Sequence, residues 1–314
     1  MKLQKYQIID EKIREDFEKM KKEHPNCFKK RLNLSWSNWG FGIENLEDSA
    51  RRLAKVGVKY IELAGNHLGP DIGYKVDETL KILNDNALKC AGICGLFSDD
   101  NAFSSNRALV RQAAIDYIRR EVEFAKAVGG VYVLVVPGRV GISDPYDESD
   151  YKRSVQTLKL VADVFVKNGI KAAVEPIRSA EVAIVHTITE AKKYLDDVDH
   201  PGIQHINGDI FHMLSEESHI GEALLNAGEK LINIHLEDSN RMALGYGCMD
   251  IDSIIRALYL IGHNSDGRFV TPEPLGPGGN SYKAMYGQHS KDDMDKMVFD
   301  TVNYFREREE ELLA

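Results

Sequence analysis

Cysteine is scarce in this 314-residue chain, and Cys27, Cys90, Cys94 and Cys248 include no CxxC pair. That removes a zinc knuckle and a disulfide framework from consideration. Basic residues are outnumbered, 40 Lys and Arg against 49 Asp and Glu, for a formal net charge of −9. The basic face that a nucleic-acid partner needs is therefore missing. No apolar run reaches the roughly 18 residues of a membrane span. The start, Met1-Lys2-Leu3-Gln4-Lys5, leads into a charged helix without a signal-peptide core. A cytoplasmic protein with no membrane or nucleic-acid partner is expected. Neither GxGxxG nor GxxxxGK(S/T) follows a strand-like run, which leaves nucleotide binding without support.

What is present is a regular alternation. Hydrophobic residues make up 43% of the chain, enough for a large core. Eight apolar runs read as strands: 32–36, 58–63, 88–94, 131–136, 171–175, 202–206, 231–235 and 268–273. Helical spacing predicts helices over 46–56, 77–86, 106–128, 149–167, 187–197, 216–227, 250–261 and 291–312, with a further one over 8–24 outside the barrel. Continuous apolar strands imply a parallel sheet buried on both faces. Eight alternating units favour its closure into a (β/α)8 TIM barrel, one domain over 1–314 with a helical extension over 1–30.

Four of these strands end in a metal-ligating residue: Glu175, Asp209, His235 and Glu273. Three carboxylates and one imidazole at matching points of a repeat suit a single hard or borderline divalent ion such as Mn²⁺ or Mg²⁺. The first strand runs into Trp36 and Trp39 within Ser35-Trp36-Ser37-Asn38-Trp39-Gly40. Either tryptophan is a core residue or an apolar wall for a ring-shaped ligand. Leu275-Gly276-Pro277-Gly278-Gly279 offers backbone amides that could cradle a phosphate, but no Lys or Arg lies near it.

In the order and spacing of these four residues the chain resembles the xylose-isomerase-like, or sugar-phosphate isomerase/epimerase-like, TIM barrels, over about 31–312. Three more positions match: Glu181, six residues after the first ligand; His212, three after the second; Arg241, six after the third. Within that family it is similar to the large, metal-binding subunits of C-glycoside deglycosidases. That likeness lies in Leu34 to Gly42, Glu175-Pro176-Ile177-Arg178-Ser179-Ala180-Glu181, Thr271 to Gly279 and Phe305 to Glu309. The resemblance implies one Mn²⁺ (or Mg²⁺ or Co²⁺) per chain on Glu175, Asp209, His235 and Glu273. It also implies a sugar or glycoside substrate, an oligomer and a small β-sandwich partner subunit.

The chemistry follows from such a site. A sugar with a carbonyl beside a hydroxyl can chelate the ion, which then stabilises the enolate left when the α-proton departs. Glu175 or Glu273 is placed to take that proton, and His212 is the next candidate. Glu181, Arg241 and His67 read as sugar-hydroxyl contacts, and Trp36 and Trp39 as the aromatic wall. The expectation is a lyase on 3-oxo-glycosides that expels the C1 aglycone. The alternative is a ketose 3-epimerase or sugar isomerase of the same chemistry, and a third reading is a sugar-binding protein that turns nothing over.

Overall fold

The structure is a computed structural model that describes residues 3–69, 72–275 and 281–314, with backbone only for 281–283. β1 (Tyr60–Ala64) is followed by a small antiparallel hairpin, β2 (His67–Gly69) and β3 (Ile72–Gly73). Six longer strands come after it: β4 (Lys89–Cys94), β5 (Tyr132–Val135), β6 (Lys171–Val174), β7 (His205–Asp209), β8 (Leu231–Leu236) and β9 (Phe269–Pro272). β1 and β4 to β9 pair in parallel in that order.

The eighth position belongs to the extended segment 33–37, where the predicted first strand lies. It makes single bridges and no continuous ladder, Leu34 to Val270 and Ser37 to Glu62. Ser35 N donates to Val270 O at 2.8 Å on one side, and Glu62 N donates to Trp36 O at 2.8 Å on the other. Both edges of the sheet are thereby joined through it, and the architecture is the expected TIM barrel.

Outside the strands lie α1 (Lys5–Glu23), α2 (Leu46–Lys55), α3 (Val76–Asp85), α4 (Ala108–Val128), α5 (Asp150–Val161), α6 (Asp163–Asn168) and α7 (Ile188–Val198). α8 (Ile210–Glu216), α9 (Ile220–Ala227), α10 (Ile251–Leu260), α11 (Ser281–Tyr286) and α12 (Lys291–Leu313) complete the set. α4 buries Val110, Ala114, Ile118, Val122 and Ala125 against the strands, the stripe expected of a helix with one face in the core. α1 packs outside the ring, where Phe17 meets Phe28 and Tyr259 edge-on at 5.2 and 6.2 Å.

Three expected elements fall differently. The helix over 149–167 is two helices meeting at Ala162. The helix over 216–227 is α9 alone, and an unpredicted α8 precedes it. The strand expected over 202–206 runs from His205 to Asp209, so Asn207-Gly208 is strand and not turn. One side chain explains the last two shifts. Asp209 caps α8, accepting from Phe211 N at 2.8 Å and His212 N at 3.3 Å, so strand passes into helix with no loop.

Register sets which side chains face the lumen. Between β1 and β4 the pairing skips Ala91, and between β7 and β8 it skips Ile232. Each extra residue is a bulge that changes which side chains point inward. Ala91 and Ile232 join Tyr132, Ala173 and Phe269 in a separate apolar cluster. This is the interior layer beneath the polar groups at the strand tips.

Candidate metal and sugar site

Alternation along each strand brings the four predicted ligands to the C-terminal mouth of the barrel. Glu175, Asp209, His235 and Glu273 are all buried, at most 6% exposed. Ligand atoms of Glu175, Asp209 and His235 lie within 4.8 Å of one another, and Glu273 forms a similar group with Asp209 and Glu237. His235 Nδ1 lies 3.3 Å from Glu175 Oε1 and 3.2 Å from Glu273 Oε2. Two carboxylates thus converge on one ring nitrogen.

The other ring nitrogen, Nε2, faces Glu62 at 3.0 and 3.2 Å. An ionised carboxylate only accepts, so Nε2 carries a proton and Nδ1 is the nitrogen left to bind a cation. Glu62 is fully buried. It also accepts from Tyr132 Oη at 2.6 Å and from Asn233 Nδ2 at 3.4 Å. Burial alone would raise its pKa, but the imidazole beside it holds it below the usual value.

An amide chain continues the scaffold. Asn207 Nδ2 donates to Glu175 Oε1 at 2.8 Å, Asn233 Nδ2 to Asn207 Oδ1 at 2.8 Å, and Thr271 Oγ1 to Asn233 Oδ1 at 2.7 Å. Trp39 Nε1 donates to Glu273 Oε2 at 2.6 Å. These contacts lock the rotamers of the candidate ligands before any ion arrives.

The electrostatics fit a cation. Burial would lower the His235 pKa, yet Glu273 and Glu62 raise it well above its ordinary value. Burial pushes Glu273 up to about 8, and Asp209 adds to the rise. A proton on Nδ1 therefore stands where a divalent ion would neutralise the same carboxylates. Asp209 Oδ2 is buried and accepts no well-formed hydrogen bond among the described residues. Its nearest polar neighbours are His212 Nε2 at 3.2 Å, on an imidazole whose pKa burial lowers, and the cationic Arg241 Nη2 at 3.6 Å. Glu237, buried next to Asp209, is pushed well above the carboxylate range by burial and by that neighbour's charge.

Above these groups opens a cavity of about 520 Å³, within the range of about 300–1,000 Å³ for small-molecule sites. Its polar end holds the four candidate ligands with His212, Glu181 and Arg241. Leu68, Phe97, Val136, Val140, Ile177, Met285 and Tyr286 line its apolar side. Phe211 lies between two guanidinium groups, Arg178 at 4.5 Å and Arg241 at 4.4 Å from its ring centre. Arg178 Nε donates to Glu181 Oε1 at 2.6 Å. Arg241 has φ of 56°, a left-handed conformation costly for a long side chain. The turn is held by Arg241 N donating to Asp238 O and Leu275 N donating to Arg241 O, both at 2.7 Å. At the tip of β1, Gly65 is required by packing, because a Cβ there would sit 2.1 Å from Tyr117 Oη.

Two sequence expectations are corrected. Trp36 is no wall of the cavity: it is 1% exposed and stacks on Phe41 at 5.9 Å. His67 is not among the cavity-lining residues either; it stacks on Phe124 of α4 at 4.6 Å with ring planes 6° apart. Only Trp39 of the aromatic pair reaches the cavity, and its indole N–H is committed to Glu273. The candidate phosphate cradle at 276–279 lies outside the described residues. Glu62, Asn207 and Asn233 were missed. The available signal was a charge or amide inside an apolar run, as in Tyr60-Ile61-Glu62-Leu63.

Residues 50–284 match the xylose isomerase-like TIM barrel family, and the chain belongs to it. Among curated relatives, the ketose 3-epimerase of Arthrobacter globiformis is 25% identical over 233 residues, 74% of this chain and 78% of that protein. The L-ribulose 3-epimerase of Methylomonas sp. is 28% identical over 241 residues, covering 74% and 82%. The 3-dehydro-D-guloside 4-epimerase of Escherichia coli is 25% identical over 240 residues, covering 72% and 87%. A solved L-ribulose 3-epimerase superposes with a TM-score of 0.78 over 90% of this chain and 96% of its own, at 20% identity. That last likeness concerns the fold. Among the described residues no helix is long and apolar enough to cross a membrane.

Proposed function

We propose that the protein is a divalent-metal-dependent sugar epimerase that inverts a carbon next to a ketone. The observation behind this reading is the pair of buried glutamates, Glu175 and Glu273, both within 3.3 Å of the same nitrogen of His235. Glu175, Asp209, His235 and Glu273 would hold the ion, with Mn²⁺ the first choice for a set of three oxygens and one nitrogen and Mg²⁺ or Co²⁺ the alternatives. The bound ion supplies Lewis-acid polarisation of the substrate carbonyl. Glu175 and Glu273 serve as the proton-accepting and proton-donating groups at the α-carbon. Their amide and indole partners, Asn207 and Trp39, fix which oxygen of each is turned to its donor and which is left for substrate. His212, Glu181 and Arg241 bind substrate hydroxyls from the polar end of the cavity. The relatives named as ketose 3-epimerases support this chemistry more than they support a lyase.

A second reading keeps the same proton abstraction but starts from a 3-oxo-glycoside. The apolar side of the cavity, with Phe97 and Tyr286, exceeds what the hydroxyls of a free ketose need and would receive an aglycone. The relative named for a 3-dehydro sugar supports such a substrate without requiring bond cleavage. Loss of the aglycone, and a small β-sandwich partner subunit, belong to this second reading alone.

Incubation of the Mn²⁺-loaded protein in D₂O with free ketoses and, separately, with 3-oxo-glycosides tests both. A deuterated diastereomer of the ketose is the expected product. Free aglycone from the glycoside alone would transfer the assignment to the lyase. Absence of α-deuterium exchange with every substrate would overturn both.

A further inference from the structure

The opposite end of the barrel carries a second cluster. β6 begins at Lys171 and β7 at His205. Alternation puts these side chains on the same lumen-facing side as Ala173 and Asn207, the residues two positions further on. Lys230 and Arg268 immediately precede β8 and β9. All four are half-buried.

Their hydrogen-bonding and charge are unmatched. Arg268 Nη1 and His205 Nδ1 are buried atoms with no hydrogen-bond partner among the described residues. Arg268 spends Nη2 on Glu229 O at 3.2 Å. No ion pair among the described residues involves any of the four. The carboxylate acting on Arg268 belongs to Glu229, which is exposed on the rim. Burial, and then the charges of Lys171, Arg268 and Lys230, push His205 down to about 4. Burial and Arg268 lower Lys171 in the same way. A buried donor without an acceptor is destabilising, because its lost hydration is not replaced. Water would supply acceptors but leave the like charges facing one another.

The geometry points to an oxyanion site at the floor of the barrel, in which Lys171, His205, Lys230 and Arg268 hold one small tetrahedral anion of the phosphate or sulfate class. An oxyanion answers both deficits, because its oxygens accept from Arg268 Nη1 and its charge sits among the cations. The site lies beneath the apolar layer of Tyr132, Ala173 and Phe269. It is independent of the metal and of the reaction proposed above.

The probe is inorganic sulfate, compared with chloride at equal ionic strength on the Mn²⁺-loaded protein, read by calorimetric titration and by Tm. One sulfate per chain and a saturable rise in Tm are expected. Arg268→Gln and Lys171→Gln should each weaken sulfate binding about tenfold or more, the loss of one charge-assisted hydrogen bond. Arg268→Lys should retain part of the affinity. Should Arg268→Gln fail to fold, Lys171→Gln and Lys230→Gln give the same readout. Equal behaviour in sulfate and chloride would overturn the proposal. So would sulfate binding that survives the floor variants and disappears in Arg241→Gln, which places the anion at the other mouth.

Discussion

Replacing Glu62 by Gln separates a structural acid from one that tunes a metal ligand. The amide is isosteric and can still accept from His235 Nε2, so the ring stays where the 3.0 and 3.2 Å contacts place it. What disappears is the charge that makes Nδ1 electron-rich. A hydrogen bond to a charged partner is worth about 1.5–3 kcal/mol. Loss of a carboxylate behind a metal-bound imidazole weakens affinity about 10–100-fold, or about 1.4–2.7 kcal/mol. The two figures agree. Tyr132→Phe removes only the 2.6 Å donor to the same carboxylate, so its effect should be smaller. The assay is a Mn²⁺ titration against a chromophoric chelator, with circular dichroism to establish folding. Unchanged Mn²⁺ affinity in a folded Glu62→Gln protein would refute the reasoning and reduce Glu62 to a satisfied core acid.

Asp209→Ala should lose the ion on mild dialysis, and it should also loosen α8, since the same carboxylate caps that helix; elemental analysis and helix content read the two effects. His212→Asn should keep the metal while kcat/KM falls about tenfold or more, because a hydroxyl contact to substrate is lost. Trp39→Phe frees Glu273 Oε2 of its 2.6 Å donor and should lower kcat, whereas Trp36→Phe, a core change, should lower Tm with kcat/KM unchanged. Glu121 in α4 is fully buried, its carboxylate oxygens accept no well-formed hydrogen bond among the described residues, and burial raises its pKa to about 8 against a smaller lowering by the His67 backbone. The folded state therefore binds the proton more tightly than the unfolded chain does, and stability falls as pH rises from about 4.5 toward 8, by up to roughly 4–5 kcal/mol at about 1.36 kcal/mol per pKa unit. Glu121→Gln should flatten that decline in Tm; an unaltered slope would show that Glu121 is not its source.

The barrel was legible because strand and helix periods alternate along the chain, and each apolar run that ended in Glu, Asp or His kept its residue at the mouth. Where the reading slipped, a single side chain had two employments. Asp209 was read as a ligand at a strand end alone, yet it is both a strand tip and a helix cap, so α8 was hidden in Ile210 to Glu216. Trp36 and Trp39 lie three residues apart in one aromatic loop, and only the register of 33–37 against β1 and β9 decides that one turns into the core and the other toward Glu273. Glu62 carried a signal, a charge inside an apolar run, but its role was hidden for a related reason. Its role depends on β1 lying across the lumen from β8, and that closure is made by a segment too irregular to form a ladder.

The same strands show why chemistry and stability separate along the barrel axis. β6 has Lys171 at its foot and Glu175 just past its tip; β7 has His205 at its foot and Asp209 at its tip. Four residues of extended chain span about 13 Å, and an apolar layer fills the space between the two ends. Lys171 and Glu175 at the two ends of β6 attract weakly across that distance, so each end must find its own counter-ion. At the tips Glu175 and Glu273 converge on His235; at the feet Lys171, Lys230 and Arg268 make no ion pair among the described residues. A substitution at a foot should therefore move Tm and leave kcat/KM alone, while one at a tip should lower kcat/KM. Coupling between Lys171→Gln and Glu175→Gln in a double-mutant cycle should be near zero, below about 0.5 kcal/mol.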